Sequence, residues 1–270
     1  MVAKLFVVWY IYCIYILVSI VKNYHSGTSN IVLPVANKAA FPAEYKNKSR
    51  LAYYASLFNS LEVNSSFYKV PMGKTVARWA TEVPAGFTFT FKLYKGITHN
   101  KGLLFNDKDV AHFIQVINQV GEKKGCLLIQ FPAGTHCNTT QLKKLLGCVQ
   151  KYNHNNGWKV GVELRHTSWY VSKVYSLLQS FDAAMVVHDM PKSATPGIKQ
   201  QAGFMFLRFH GPLGDYRGGY SNEVLYNYAT RVRGWLQDGK AVYVYFNNTI
   251  GDALPNLVTL NGYVKDLTCG

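Results

Sequence analysis

The sequence predicts an α/β fold, a single-domain (β/α)8 TIM-like barrel, on the evidence of three features. Short apolar runs of strand length recur along the 270 residues, and stretches with helical periodicity separate them. Nearly every run closes on polar residues, as strands do where they build a site at the mouth of a barrel. No glycine-rich GxGxxG or GxxxxGK motif follows the first run, which weighs against the open nucleotide-binding sheets.

Eight strands are predicted, most of them from the apolar runs. They cover residues 24–28, 61–64, 88–92, 126–130, 159–164, 184–189, 204–209 and 241–246. Apolar strands that alternate with helical stretches are typical of a parallel sheet covered on its outer face. Eight such units favour a closed barrel over an open doubly wound sheet.

Helices are predicted in the intervals between strands and after the last one. They cover about residues 49–58, 73–80, 107–120, 140–152, 171–179, 221–237 and 252–264, with an irregular loop and at most a short helix at 191–201. Short polar side chains at helix starts act as N-caps because they accept hydrogen bonds from free backbone N–H groups. The predicted caps are Ser49, Asp107 or Asp109, Thr139 or Thr140, and Ser221.

The composition bounds the class of protein. Apolar residues make up 49% of the chain, and 29 Lys and Arg face 14 Asp and Glu. The basic residues are scattered in short groups, which suits solvated helix faces better than a nucleic-acid track, although the positive field attracts anionic small molecules. The five cysteines form no CxxC pair, which argues against a disulfide framework and the usual zinc spacing and favours a reducing, cytoplasmic location.

The N-terminal residues 1–22 are predicted to lie outside the barrel, which covers residues 23–270. Residues 5–21 carry no charge and follow a lysine, as in a signal segment, but no clear small-x-small cleavage site follows. Three interpretations compete: a membrane anchor, a signal peptide, and an upstream extension from a mis-assigned start. A membrane partner is expected only in the first case.

Polar residues at the strand ends form the candidate site. Because strand side chains alternate, residues two apart share a face, and the inward members meet at the barrel mouth. The charged members are Glu62, Lys92, Glu163, Arg165, Asp189, Arg208 and His210, and the amides are Asn64, Gln130 and Asn247. Buried charges must form ion pairs or meet a charged ligand. A self-neutralised network that holds the barrel top together is the structural alternative.

The catalytic candidates are Glu163, Asp189 and His210. Either carboxylate is a candidate general base, and the imidazole is a candidate proton shuttle near neutral pH. The predicted anion clamp consists of Arg165, Arg208 and Lys92, because guanidinium groups fork onto phosphate or carboxylate. The amides would orient the substrate.

Two loops extend the candidate substrate site. Residues 211–220 and 247–251 follow the seventh and eighth strands, where barrels of this kind often bind phosphate, although their glycines also suit simple turns. They add Tyr216, Tyr220 and Asn248 to the candidates, and the loop after the third strand adds His99. Several residues are of types that bind metal ions, but no two of them have a spacing diagnostic of a metal site. These residues are Glu62, Glu163, His166, His188, Asp189 and His210. No metal site is assigned, the cofactor is left open, and His166 and His188 are expected to face away from the mouth.

Several motifs, in order, resemble one family. They are GTS at 27–29, LEVNSSFY at 61–68 with Pro71, ITH at 97–99, QFP at 130–132, ELRH at 163–166 with Trp169, HD at 188–189, RFHG at 208–211, YRGGY at 216–220 and YFNN at 245–248. From residue 23 onward the chain is similar to the domain of unknown function 72 family, the YecE-like proteins. The resemblance implies a TIM barrel that begins after residue 22, and no particular reaction. Asn30 departs from the glycine usual there, and asparagine tolerates similar backbone conformations.

The sequence therefore predicts an enzyme, a hydrolase or another acid–base catalyst, that acts on an anionic small molecule, phosphorylated or not, at the barrel mouth. A nucleic-acid-acting enzyme or binder is the first alternative, because of the net charge and the aromatic residues. A noncatalytic barrel that binds a ligand or a protein partner is the second.

Overall fold

The computed structural model describes residues 22–153, 157–197 and 202–269, and it has the predicted alternation of parallel strands and helices. The strands are β1 Tyr24–Thr28, β2 Ser60–Val63, β3 Thr88–Lys92, β4 Lys124–Gln130, β5 Lys159–Glu163, β6 Ala184–Met185, β7 Val187–His188, β8 Phe204–Phe209 and β9 Ala241–Phe246. The predicted sixth strand, 184–189, is thus two short strands. They are separated at Val186, whose N–H bonds to the carbonyl of Val162 on β5.

The helices pack on the outside of the strands. They are α1 Arg50–Leu57, α2 Ser65–Tyr68, α3 Gly73–Thr81, α4 Lys95–Thr98, α5 Asp107–Ile117, α6 Thr139–Tyr152, α7 Ser172–Ser180, α8 Asn222–Gln237 and α9 Ala253–Cys269. The single-turn helices α2 and α4 were not predicted. They lie directly after β2 and β3, on the side of the mouth.

The helix caps confirm two predictions and correct two. Ser49 and Ser221 accept hydrogen bonds from the third residue beyond them, as predicted. The prediction of Asp107 or Asp109 was wrong, because Asn106 caps α5 and accepts from the N–H of Lys108. The prediction of Thr139 or Thr140 was also wrong.

Asn138 caps α6, since its amide oxygen accepts from the N–H of Gln141. Each asparagine directly precedes the predicted caps, and its short side-chain acceptor takes the role one residue earlier.

The strands form two parallel sheets that meet at both edges. One sheet has the order β1-β9-β8-β7 and the other β2-β3-β4-β5-β6. A parallel bridge between Ser29 and Glu62 joins β1 to β2, and Asn30 N–H donates to the carbonyl of Glu62. At the other junction β6 and β7 follow one another along the chain. The strands therefore succeed one another around a barrel, and their carboxyl ends share one rim.

Strand side chains divide into an inner and an outer cluster. The inner cluster comprises Cys126, Leu128, Ala184, Val186, Ala202, Phe204, Phe206, Tyr243 and Tyr245. The Tyr245 hydroxyl crosses the interior to Ser60 Oγ (2.6 Å) and Thr90 Oγ1 (2.7 Å). Outward residues pack against the helices in a larger cluster. The filled interior leaves the polar residues of the strand ends as the floor of the mouth.

Among the helices of the described residues, none is long and apolar enough to cross a membrane. The predicted anchor, signal or extension at residues 1–22 lies, apart from residue 22, outside the described residues.

Candidate functional site

Arg208 lies at the centre of the mouth, and its side chain is fully buried. Its Nε and Nη2 donate to Glu62 at 2.8 and 2.7 Å, and its Nη1 donates to Glu163 Oε2. All three side chains have no solvent exposure. The bidentate fork offsets the cost of removing the charges from water, so each member depends on the other two.

Glu62 is held from a second side as well. Ser29, the residue after β1, donates its hydroxyl to Glu62 Oε1 and forms the backbone bridge that joins the sheets. Ser29 belongs to the GTS motif at 27–29 but was not predicted to lie in the site. Its position directly after a strand end was the available signal.

Arg165 forms the outer layer of the network, with 11% of its side chain exposed. Its Nε donates to Glu163 Oε1 at 2.6 Å, Nη1 donates to the Tyr216 hydroxyl at 3.1 Å, and Nη2 lies 3.1 Å from His210 Nε2. Burial disfavours the charge on Glu163, but Arg165 and Arg208 outweigh burial and hold its pKa well below the usual range. Glu163 is therefore an ionised acceptor rather than a strong base.

His210 has its tautomer fixed by its neighbours. Its Nε2 lies 3.1 Å from Nη1 of Arg208 and from Nη2 of Arg165, and guanidinium groups only donate. Nε2 is therefore an acceptor, and Nδ1 carries the proton toward Asp189 Oδ1 at 3.2 Å. Burial lowers the pKa of His210, and the two arginines lower it further against the raising effect of Glu163 and Asp189. The imidazole is neutral at pH 7.

Asp189 is a fixed orienting group for that imidazole. Its Oδ1 accepts the backbone N–H of His210 at 2.8 Å, and its Oδ2 accepts the Tyr220 hydroxyl. Tyr220 in turn accepts the N–H of Gly211 at 2.6 Å. Burial, together with Asp189, raises the pKa of Tyr220 far above its ordinary value, so the phenol stays protonated and keeps donating.

Lys92 differs from the two arginines. Within the described residues it forms no ion pair with a carboxylate, and its Nζ lies 4.2 Å from the centroid of the Phe67 ring. Burial, followed by the charge of Arg208, lowers the pKa of Lys92 to about 8 against the opposing effect of Glu163 and Glu62. Phe67, on the single-turn helix α2, was a motif residue to which the sequence analysis gave no role.

His99 lies at the exposed rim beside the same ring. Its ring centroid is 4.8 Å from that of Phe67, and its Nδ1 is 2.8 Å from Thr98 Oγ1. Burial, followed by the charge of Lys92, lowers the pKa of His99 to about 4. The His99 imidazole is therefore neutral at pH 7.

The amides occupy different positions. Asn64 Nδ2 approaches Asn247 Oδ1 at 3.5 Å, and its buried Oδ1 has no hydrogen-bond partner among the described residues. Gln130 donates to the neighbouring carbonyl of Phe131. Asn248 donates to the carbonyl of Gly218 at 2.8 Å and ties two loops together.

The loops after β8 and β9 use many of their backbone donors on each other. The N–H groups of Ile250 and Asp252 donate to the carbonyls of Tyr216 and Gly218, and that of Gly251 donates to Asn248. These donors are therefore engaged at the place where the sequence analysis considered a phosphate site. Tyr216 adopts φ +66°, a left-handed backbone that costs a non-glycine residue on the order of 1–3 kcal/mol.

Two histidines were expected to face away from the mouth. His188 Nε2 bonds to the carbonyl of Leu164 at 2.9 Å, but its ring centroid lies 6.0 Å from that of His210, so it buttresses the site from behind. His166 packs against His136 with ring centroids 4.0 Å apart. Across the described ranges, no group of three or more His, Cys, Asp or Glu is arranged to hold a metal ion.

The structure brings the predicted residues together in one network. The connected members are Glu62, Glu163, Arg165, Asp189, Arg208, His210, Tyr216 and Tyr220. Lys92, His99, Asn64 and Asn247 border it, whereas Gln130 and Asn248 bond to backbone nearby.

The strand order and this mouth define the class of the protein, an α/β barrel with an ionic network at the carboxyl ends of its strands. Within that class, the chain belongs to the family described as Protein of unknown function DUF72, whose model matches residues 25–267. The chain is 26% identical over 248 residues to the UPF0759 protein YunF of Bacillus subtilis (strain 168), which covers 80% of this chain and 86% of YunF. An 83-residue stretch is 31% identical to the UPF0759 protein YecE of Escherichia coli (strain K12), 31% of this chain and 30% of YecE.

Two solved structures share the fold. A DUF72 family protein from Enterococcus faecalis V583 has a TM-score of 0.72 at 20% identity and covers 90% of this chain and 95% of its own. A DUF72 family protein from Thermotoga maritima MSB8 has a TM-score of 0.70 at 24% identity and covers 90% of this chain and 98% of its own. The family resemblance drawn from the motifs and the predicted fold class are therefore confirmed.

Proposed function

We propose that this protein is an enzyme that performs an acid–base reaction, hydrolysis first among the candidates, on an anionic small molecule at the barrel mouth. The observation that carries the proposal is the fixed tautomer of His210. Its Nδ1–H faces Asp189, and its Nε2 lone pair faces both Arg208 and Arg165, the partly exposed cation of the network. A neutral imidazole with an oriented carboxylate behind it is the arrangement of a general base.

Arg165 links ligand binding to the release of that base. A phosphate or carboxylate at the mouth competes with Glu163 and His210 for the guanidinium donors, because Arg165 is partly exposed and bonds both. Once Arg165 turns to the ligand, Nε2 keeps one of its two donors, Arg208 Nη1 at 3.1 Å, and a substrate proton then competes for its lone pair. The nearby Glu163 carboxylate, 3.6 Å from Nε2, then stabilises the imidazolium.

Arg208 and Glu62 belong to the scaffold in this proposal. Both are fully buried and bonded to each other in a bidentate fork, so a ligand has no access to the N–H donors of Arg208. The predicted clamp therefore reduces to Arg165 and Lys92, with the Tyr216 hydroxyl beside them. Lys92 supplies positive charge that no carboxylate of the described residues pairs with.

The test combines binding and turnover. We would screen phosphate esters, carboxylate esters and sugar acids by thermal shift and by product formation, with Arg165→Met and His210→Asn variants. Arg165→Met should abolish the thermal shift, whereas Arg78→Met, at an exposed helix pair, should retain it. His210→Asn should retain binding and lose roughly 10²–10⁴-fold in turnover.

Two outcomes contradict the proposal. If the Arg165→Met variant binds the anion with the same affinity as the wild type, Arg165 is not part of an anion clamp. A His210→Asn variant with unchanged turnover excludes the base. Binding without turnover by any compound favours the noncatalytic barrel.

A second candidate function is the binding of single-stranded nucleic acid. Tyr68 is 67% exposed on the mouth side, and Lys95 Nζ lies 5.8 Å from its ring centroid. Exposed aromatic rings beside lysines can stack with bases. Affinity for a single-stranded oligonucleotide should then fall steeply with salt, and a flat response contradicts this candidate.

A further inference from the structure

We propose that Lys92 is an amine nucleophile that forms an imine with the carbonyl carbon of an anionic aldehyde or ketone, while Arg165 holds the anionic group. The inference narrows the substrate class of the proposed anion site and rests on that site. It assigns chemistry to a side chain that the acid–base proposal uses only as a charge.

The position of Lys92 is built into the barrel wall. Thr90, two residues earlier on β3, points into the barrel and bonds to Tyr245, so Lys92 projects to the same side at the level of the mouth. Its carbonyl accepts the Ser66 hydroxyl at 2.7 Å. An amine on a strand end is held more firmly than one on a loop, as an attacking group requires.

The surroundings leave the amine free to react. The nearby carboxylates are Glu62 and Glu163. Their oxygens accept hydrogen bonds from Arg208, Arg165 and Ser29. The neighbour of Nζ is instead the Phe67 ring at 4.2 Å, which offers no hydrogen-bond acceptor in its plane. A lysine in an apolar niche beside other cations is the arrangement that activates amines toward carbonyls.

The protonation state agrees with that geometry. Burial and the charge of Arg208 lower the pKa of Lys92 to about 8 from the ordinary 10.5. About a tenth of the amine is therefore neutral at pH 7, compared with less than a thousandth for an ordinary lysine. The pKa of a lysine held only as a structural cation by carboxylates would instead be raised.

The step balances without an oxidant or reductant. The ammonium first loses one proton to solvent, and the nitrogen lone pair then attacks the carbonyl carbon while the π pair moves to oxygen. The carbinolamine loses water as nitrogen gives up its two remaining protons, one to the alkoxide and one with the departing hydroxyl. The product is one C=N bond and one water.

The experiment traps the imine in the full chain. The protein is incubated with pyruvate, an anionic ketone, and sodium cyanoborohydride, and the modified lysines are mapped and timed by peptide mass spectrometry. Lys95 is the matched control within the chain, because it also lies beside an aromatic ring, that of Tyr68, but is exposed. Lys92→Arg keeps the charge and removes the nucleophile.

Lys92 should be modified on the order of tenfold or more faster than Lys95 at pH 7. Its rate should rise with an inflection near pH 8, saturate with pyruvate and fall when inorganic phosphate competes. Lys92→Arg should retain the thermal shift with pyruvate and lose the adduct. Modification of Lys92 no faster than Lys95, in a protein that pyruvate stabilises, overturns the inference and leaves the anion site intact. If neither pyruvate nor phosphate stabilises the protein, the proposed function fails, and this inference fails with it.

Discussion

Arg208 shows how one buried charge is satisfied by several partners. Its guanidinium binds two carboxylates with no solvent exposure on any of the three side chains. Water cannot replace a lost partner there, so removing one member leaves an uncompensated charge in a medium of low dielectric. In the proposed function, ligand binding therefore falls to Arg165 and Lys92 rather than to Arg208.

We expect Arg208→Met to lower the free energy of unfolding by about 3–5 kcal/mol, because Glu62 and Glu163 then lie buried without their cation. Arg78→Met is the control, since the Arg78 side chain is 67% exposed in its pair with Glu82 and should contribute about 0.5 kcal/mol or less. Urea denaturation measures both. Equal losses in the two variants would contradict the account of the network.

The elements that frame the mouth are two tightly packed loops. Gly211, directly after His210, adopts φ +93°, and a Cβ there would lie 2.2 Å from the carbonyl oxygen of Arg217. A Cβ at Gly251 would likewise lie 2.4 Å from the backbone nitrogen of Gly218. The glycines therefore allow backbone to pack on backbone beside the ionic network, which fixes Tyr216 over Arg165.

Two glycine substitutions should have opposite effects. Gly211→Ala meets both a positive φ and a backbone oxygen, so we expect a loss of more than about 1 kcal/mol in the free energy of unfolding. Gly262→Ala lies within α9, where the added Cβ meets nothing within 4 Å, and should gain about 0.5–1 kcal/mol. Thermal and urea unfolding of both variants check the signs. An unchanged free energy of unfolding in Gly211→Ala would show that the loops can move apart without cost.

Most elements could be predicted because their signals are local. The strands 88–92, 204–209 and 241–246 have the predicted bounds because apolar residues define them, and the strand 24–28 also has the predicted bounds although it is largely polar. The break at Val186 depends on a tertiary hydrogen bond to Val162, whereas α2 and α4 are single turns, too short to show a helical periodicity in the sequence. The caps at Asn106 and Asn138 were missed by one position for a similar reason, since adjacent polar residues compete for one role.

On the scale of the whole molecule, acid should weaken the fold. Burial, followed by Lys159, lowers the pKa of His25 to about 4 from 6.5, so the unfolded chain binds a proton in a pH range where the folded protein does not. The free energy of unfolding therefore decreases as the pH falls from about 6.5 to 4. The lowered pKa values of His188 and His210 act in the same direction. The lowered pKa of Glu163 extends the loss of stability to pH values below the usual pKa range of a glutamate.

We expect His25 to contribute on the order of 1–3 kcal/mol to the loss between pH 7 and pH 4. His25→Phe keeps an aromatic ring against Tyr243, whose centroid is 4.5 Å away, and should flatten the pH dependence. His112→Asn, at an exposed position, is the control and should not. Urea midpoints at pH 7, 5.5 and 4 measure the difference, and parallel curves for all three proteins would contradict the prediction.

The membership of the site followed from the sequence, whereas its internal pairing did not. Alternation along parallel strands places Glu62, Glu163 and Arg208 at one rim whatever the details of packing. Which oxygen faces which nitrogen depends on distances between strands that are far apart in the chain. The fixed tautomer of His210, and the lack of a carboxylate partner for Lys92 among the residues that the structure describes, therefore emerge only in three dimensions.

The most direct test of the central claim is the protonation of His210, read by long-range ¹H–¹⁵N NMR of the full chain with His210→Asn for assignment. The account predicts at pH 7 a neutral ring with the proton on Nδ1, and a change at Nε2 when a bound anion draws Arg165 away. A proton on Nε2, or a charged ring at pH 7, would contradict the proposed base and the network around it.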